Sequence, residues 1–362
     1  MYYREVEVLR MESIAAAGTR TLDINITDPI SKLSVVWRKK NSNYTIVNHP
    51  ADIVKSIIVC DGADVLFAMD GSHAQSMAYF TDNRQPASII NYESGEYSVQ
   101  MAELKFGRWL YDELLALDPK RFNNLQIKIE HDLALGGCAG SVADLSVYAH
   151  CFDEKVIEPV GWLYNKEIYT FLPVAATWYY VDIPTDYPVR ALMFGSSQAT
   201  EGPNFVFEEF KLTENQGKHI LVESRVHRYM YQSTAHQDPW NERVSGKTTG
   251  ADAKLEMPVT PHFEREAACT CSGATAACRN ANTAGSRVHV YSAGGAEEVS
   301  GPVRGHSPFG DIFLKTFGGE KVEDCWQIPY AGSGRLEIMA MTGLAAQGAK
   351  YAKVYTQQVR TY

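Results

Sequence analysis

The order of features between residues 20 and 155 occurs a second time, and a chain written twice is constrained to fold as two like units. Asp23-Ile24, Pro29 and Leu33 return as Asp182-Ile183, Pro188 and Leu192, each 159 residues further on. A paired-strand unit leading into a helix, Ser56 to Phe80, is answered by Glu209 to Gln232. Leu66-Phe67-Ala68 then matches Ile220-Leu221-Val222, and His73 matches His227. Leu125-Gln-Ile127 recurs as Leu336-Glu-Ile338, and Val147-Tyr148 as Val354-Tyr355. The later spacings are longer by about fifty residues, so the second half carries an insertion between its helix and its closing strands.

Within each half, short alternating or apolar runs are broken by turn residues, which is the pattern of strands. Candidate strands are Thr21 to Thr27, Lys32 to Arg38, Ser56 to Cys60, Val65 to Met69, Leu125 to Glu130 and Asp144 to Phe152. Asp61-Gly62-Ala63-Asp64 and Asn215-Gln216-Gly217 supply the backbone freedom that tight hairpins need. The spacing predicts helices over Ser72 to Phe80 and over Ala102 to Leu117, the latter ending at Asp118-Pro119. Met1 to Gly18 reads as a short amphipathic helix or arm. The expected fold is therefore all-β: two tandem jelly-roll (β-sandwich) barrels with a few short helices. Irregular alternation of strands and helices argues against a parallel α/β fold. The expected divisions are an N-terminal arm (1–20), a first jelly roll (21–165) and a second (166–362). The insertion, about 235–330, is rich in Gly, Ala, Ser and Thr and reads as exposed loops at one barrel end.

Composition bounds the function. The formal charge is -9 with no block of five or six like charges, which leaves no general basic surface for wrapping nucleic acid. No signal-type or membrane-spanning apolar stretch is evident, so a chain made and folded as a soluble cytoplasmic protein is expected. Seven cysteines are an odd count, and Cys60, Cys138 and Cys151 stand singly, as buried free thiols do.

Chemistry has little foothold. His262, Cys269, Cys271 and Cys278 offer four nitrogen and sulfur ligands, but their spacing is not that of a standard zinc knuckle, and free thiols are the expected state over zinc or a disulfide. Glu130-His131-Asp132 and His150-Cys151 end strands that could be neighbours, as a metal site or a Cys-His nucleophile would need. Polar residues at strand ends are ordinary, however. Glu208-Glu209 and Glu297-Glu298 read as solvated faces rather than a glycosidase pair. Trp178-Tyr179-Tyr180 could stack on sugars, although its place at the start of the second barrel favours core packing. No nucleophile elbow, zinc-protease helix, phosphate-binding loop or dinucleotide fingerprint occurs. No enzyme, cofactor, metal or catalytic residue is therefore expected.

The runs Ile30-Ser-Lys-Leu33-Ser-Val-Val36, His49 to Ile58 and Asp61-Gly62-Ala63-Asp64-Val65-Leu66 resemble double jelly-roll major capsid proteins of tailless icosahedral, membrane-containing viruses. Val181 to Leu192 and Val354 to Tyr362 extend the resemblance, which covers roughly 20–235 and 330–362. It implies a virion protein that forms pseudo-hexagonal homotrimers and meets neighbouring trimers, minor capsid proteins and vertex proteins. It also implies an N-terminal arm that faces an internal membrane, which would suit Tyr2, Tyr3, Arg4 and Arg10. A two-domain jelly-roll glycan-binding protein or glycan hydrolase is the alternative.

Overall fold

The computed structural model describes residues 3–14, 16–140, 142–196, 202–247, 254–267, 270–271, 277–278, 285–291, 298–314, 321–342 and 351–362. Strands dominate, and they form two sandwiches with the same wiring. In the first, Ala17–Asp23, Leu125–Asp132, Val54–Asp61 and Asp64–Met69 lie side by side as a hairpin sheet. Facing it is a closing sheet of Tyr3–Ile14, Val142–Phe152, Ile30–Lys40, Tyr97–Lys105 and Ser88–Asn91. The second sandwich repeats both orders. Its hairpin sheet is Trp178–Asp182, Gly334–Ala340, Phe207–Glu214 and His219–Arg225; its closing sheet is Gly161–Phe171, Ala352–Thr361, Val189–Ser196 and Asp311–Leu314.

The repetition reaches single residues. Val35 lies opposite Val147, and Phe194 lies opposite Val354. A bulge between His150 and Cys151, opposite Ile30 and Lys32, recurs between Gln357 and Gln358, opposite Val189 and Ala191. Another, between Glu7 and Leu9 opposite Val147 and Tyr148, recurs between Glu167 and Tyr169 opposite Val354 and Tyr355. Bulges re-aim side chains and fix register, so matching bulges make the two sheets equivalent in shape as well as in order.

Alternation places one set of side chains inside each sandwich. Leu33, Val35, Ile57, Val59, Ile127, Ile129, Leu145 and Val147 are fully buried in the first core. Leu192, Phe194, Phe210, Leu212, Leu336, Ile338 and Val354 fill the second. Each such side chain contributes about 1.5–3 kcal/mol of transfer free energy.

Three expectations are corrected. Residues 3–14 are a strand, paired along its length with Val142–Phe152, rather than an arm or helix. The bulges leave Val6, Val8, Leu9 and Ile14 packed on the core at uneven spacing, which imitates helical periodicity. Ala102 to Leu117 is the end of the Tyr97–Lys105 strand followed by a tight loop, not a helix. Gly107 sits where an added Cβ would lie 2.6 Å from the Leu115 carbonyl oxygen, and Asp112 accepts from the Arg108 and Leu114 backbone N–H groups at 3.1 Å.

The third concerns the insertion, whose described residues form strands rather than loops. Trp240–Lys247, Glu298–His306, Lys254–Ala267 and Gly285–Tyr291 extend the first closing sheet, because Trp240–Lys247 runs parallel to Ser88–Asn91. Val244, Met257, Val259, Val288, Val290, Val299 and Val303 form a core with Ile90, Tyr92 and Cys138 of the first half. Gly246 and Gly305 are strand residues under large neighbours: a Cβ would stand 2.8 Å from Met257 Sδ at the first and 2.4 Å from the His262 ring at the second.

Candidate assembly surfaces

One helix follows each hairpin, and the two have different surroundings. The first, α1 (Gly71–Asp82), is buried on every side from Gly71 to Thr81. Buried polar residues need partners, and His73 and Ser76 find theirs in the other half of the chain. His73 Nδ1 contacts both Asp311 oxygens at 2.8 and 2.9 Å, with neither side chain more than 3% exposed. Burial works against the His73 imidazolium, but the Asp311 charge and hydrogen bond, aided by Asp70, prevail and raise its pKa. Ser76 Oγ donates to the Pro308 carbonyl at 2.8 Å, and Phe80 stacks on Phe313 at 4.9 Å. Lys353 bridges Asp70 at 2.7 Å and Glu167 at 2.9 Å.

Helix α1 thus seals the outer face of the second closing sheet. Val189–Ser196 is buried at all eight positions, and Ala191, Met193, Tyr355 and Phe313 belong to the first sandwich's core cluster. The seam continues below, where the hairpin strand Asp64–Met69 meets Gly161–Phe171 in parallel at Ala68 and Lys166. Arg360 there binds Asp64, with its guanidinium over Trp162, Tyr164 and Tyr187 at 5.0 to 5.6 Å.

The equivalent surfaces at the two ends of the chain are open. The first closing sheet keeps Lys32, Val36, Arg38, Met101, Glu103, Tyr148 and His150 half-buried on its outer face. The second helix, α2 (Val226–Thr234), buries Val226 and Met230 alone. His227 and Arg228 are exposed, and Tyr231 is 54% exposed. Tyr229 anchors α2 through its hydroxyl, which donates to the Phe313 carbonyl at 3.0 Å.

Among the described residues the strand-end candidates are not brought together. Leu125–Asp132 and Val142–Phe152 belong to different sheets, so Glu130-His131-Asp132 and His150-Cys151 are not strand neighbours. Glu130 pairs with Lys55, while His150 lies 3.4 Å from the Ser34 hydroxyl, its pKa lowered mainly by burial. Glu208 and Glu209 sit at a bulge between two residues of the second core, Phe207 and Phe210, and both are half-buried on the strand. Glu298 pairs with Lys247, and Glu297 lies outside the described residues. Tyr179 stacks on Phe171 at 4.0 Å and donates to the Leu172 carbonyl, while Tyr180 is exposed. The Trp178 to Tyr180 run thus puts one of its rings on the second core.

His262 is buried beneath Gly305. Cys269 lies outside the described residues, and only the backbones of Cys271 and Cys278 are described, paired with Val299 and Val290. Cys60, Cys138, Cys151 and Cys325 are buried and in no disulfide; burial pushes Cys138 up to about 11 and Cys151 up to about 12. Among the described residues no three His, Cys, Asp or Glu side chains are grouped to hold a metal ion, and no helix is long and apolar enough to cross a membrane.

Of the N-terminal residues thought to face a membrane, Tyr3 stacks on Tyr111 at 3.9 Å and Arg4 pairs with Asp28, Arg10 is exposed, and Tyr2 lies outside the described residues. Sequence reasoning missed the outer faces altogether, because periodicity marks which side chains point outward but not which outward face a neighbour covers.

No sequence-family model matches the chain, and no curated protein matches it in sequence. Solved structures match over nearly its whole length. A chain from the atomic structure of Sulfolobus Turreted Icosahedral Virus is 12% identical with a TM-score of 0.60, covering 100% of this chain and 91% of that one. The crystal structure of the STIV MCP is 12% identical with a TM-score of 0.58, covering 99% and 96%. The major capsid protein from Bacteriophage PM2 is 9% identical with a TM-score of 0.51, covering 99% and 98%. The chain has the double jelly-roll fold of these proteins.

Proposed function

We propose that this chain is the major capsid protein of a tailless icosahedral virus and works as a building block of the virion shell, not as an enzyme. Three copies close into a ring of six sandwiches, and the rings tile the shell. The observation that carries this reading is the mismatch between the two sandwiches. One closing sheet is covered by α1, the equivalent sheet is left half-open, and the equivalent helix α2 is left exposed. A molecule with one half of an interface at each end joins head to tail, and such contacts close into a ring where the rotation allows. Six similar sandwiches around a three-fold axis then pack as a pseudo-hexagon, so that one set of edges serves many lattice positions.

The fold shared with capsid proteins of two icosahedral and phage particles supports the same reading. Neighbouring rings, minor capsid proteins and vertex proteins are the partners in this role, and an internal membrane would be met at the end of the barrels where Tyr3 and Arg4 lie. The decisive experiment is light scattering of the purified protein with negative-stain electron microscopy. The expected result is a particle of three chains with a hexagonal outline; a protein that stays monomeric under every condition that drives assembly would overturn the proposal.

A further inference from the structure

The seam inside the chain predicts how a second copy docks, because both of its sides have residue-level equivalents that are left open. At its base Arg360 Nη1 donates to Asp64 Oδ1 at 2.9 Å and to the Val65 carbonyl at 3.4 Å. Arg360 lies two residues beyond Gln358 in the ladder, and Asp64 closes the hairpin opposite Asp61. By the matching bulges, Gln358 corresponds to Cys151, so that Arg360 corresponds to Asp153. The second hairpin closes with Glu214 opposite His219, so Asp64 corresponds to His219, with Lys218 before it in a longer turn. The charges are therefore exchanged: arginine with aspartate inside the chain becomes aspartate with lysine or histidine at the open ends.

We infer that a second copy of this chain docks with its Asn215–His219 turn against the Asp153 end of the first sandwich, with Lys218 of the second copy paired to Asp153. This rests on the head-to-tail assembly proposed above and gives it a register. Lys218 and His219 are exposed, and Asp153 is half-buried, one of three charged groups with Arg4 and Asp28 near Cys151. The pattern also selects which sandwiches meet. A first-to-first contact would set Asp153 against Asp64, and a second-to-second contact would set Arg360 against Lys218. Only first-to-second contacts bring opposite charges together, inside the chain or between copies, and like charges at a docking site suppress the wrong partner.

The test uses the full chain and three variants, Asp153→Lys, Lys218→Asp and the double exchange, with assembly followed by light scattering against protein concentration. Unfolding midpoints of the unassembled chains show whether each variant is folded. Each single reversal sets like charges face to face at three seams, so it raises the concentration needed for assembly by about tenfold or more at low salt, an effect that added salt reduces. The double exchange restores assembly toward the parent level. If parent, single and double variants all assemble at one concentration, this contact is overturned while the ring stands. If the parent forms no closed assembly, the ring reading and this inference fall together.

Discussion

Helices α1 and α2 occupy the same place in the same wiring, yet one is buried all round and the other shows most of its surface. The difference does not come from local helix preference. Helix α1 carries Ser72, His73, Gln75, Ser76 and Thr81, a set that would suit a solvated surface. It is buried because the second closing sheet lies against it and supplies Asp311, the Pro308 carbonyl and Phe313. Among the described residues no further sandwich lies against helix α2. Burial here is a property of which sandwich lies next to a helix.

Three measurements sharpen or break that contrast. The largest effect is expected at the covered helix. Asp311→Ala leaves His73 buried without its charge partner and should lower unfolding stability by about 3–5 kcal/mol, as denaturant titration would show. A loss below about 1 kcal/mol would mean that the seam does not depend on this pair.

The second effect is a pH dependence. The folded pKa of His73 is raised, so its contribution to stability is present below the unfolded value of about 6.5 and is lost as pH climbs through the folded value. The groups facing it are Asp311, Asp70, Lys353 and Tyr355. Lys353 stays charged there, since burial is outweighed by Asp70 and Glu167, and burial holds the Tyr355 hydroxyl neutral. Denaturant midpoints should therefore fall as pH climbs above about 6.5 in the parent, with a shallower fall in Asp311→Asn. Parallel pH profiles for the two proteins would remove His73 as the cause.

The smallest effect is expected at the equivalent exposed position. His227→Ala on α2 should change monomer stability by no more than about 0.5 kcal/mol. A loss comparable to that of Asp311→Ala would mean that α2 is covered within the monomer after all.

The sequence carried the doubling and much of the register. The spacing from Asp23 and Leu33 to Asp182 and Leu192, and from Val147 to Val354, is the equivalence that the ladders display. Both hairpin turns were legible because Gly62 and Gly217 adopt positive φ where the turns need it. The N-terminal strand was hidden by its bulges, and the strands of the insertion by glycines such as Gly246 and Gly305, which sit in close strand packing.

What the sequence determined is the inward face of each sandwich, since alternation obeys the strand period whatever lies outside. Only the tertiary structure decided which outward faces are covered. That depends on how one sandwich sits against the next, through pairs such as His73 with Asp311 that stand 238 residues apart. Local periodicity carries no record of contacts at that separation, so two helices in matching positions along the chain acquire opposite surroundings.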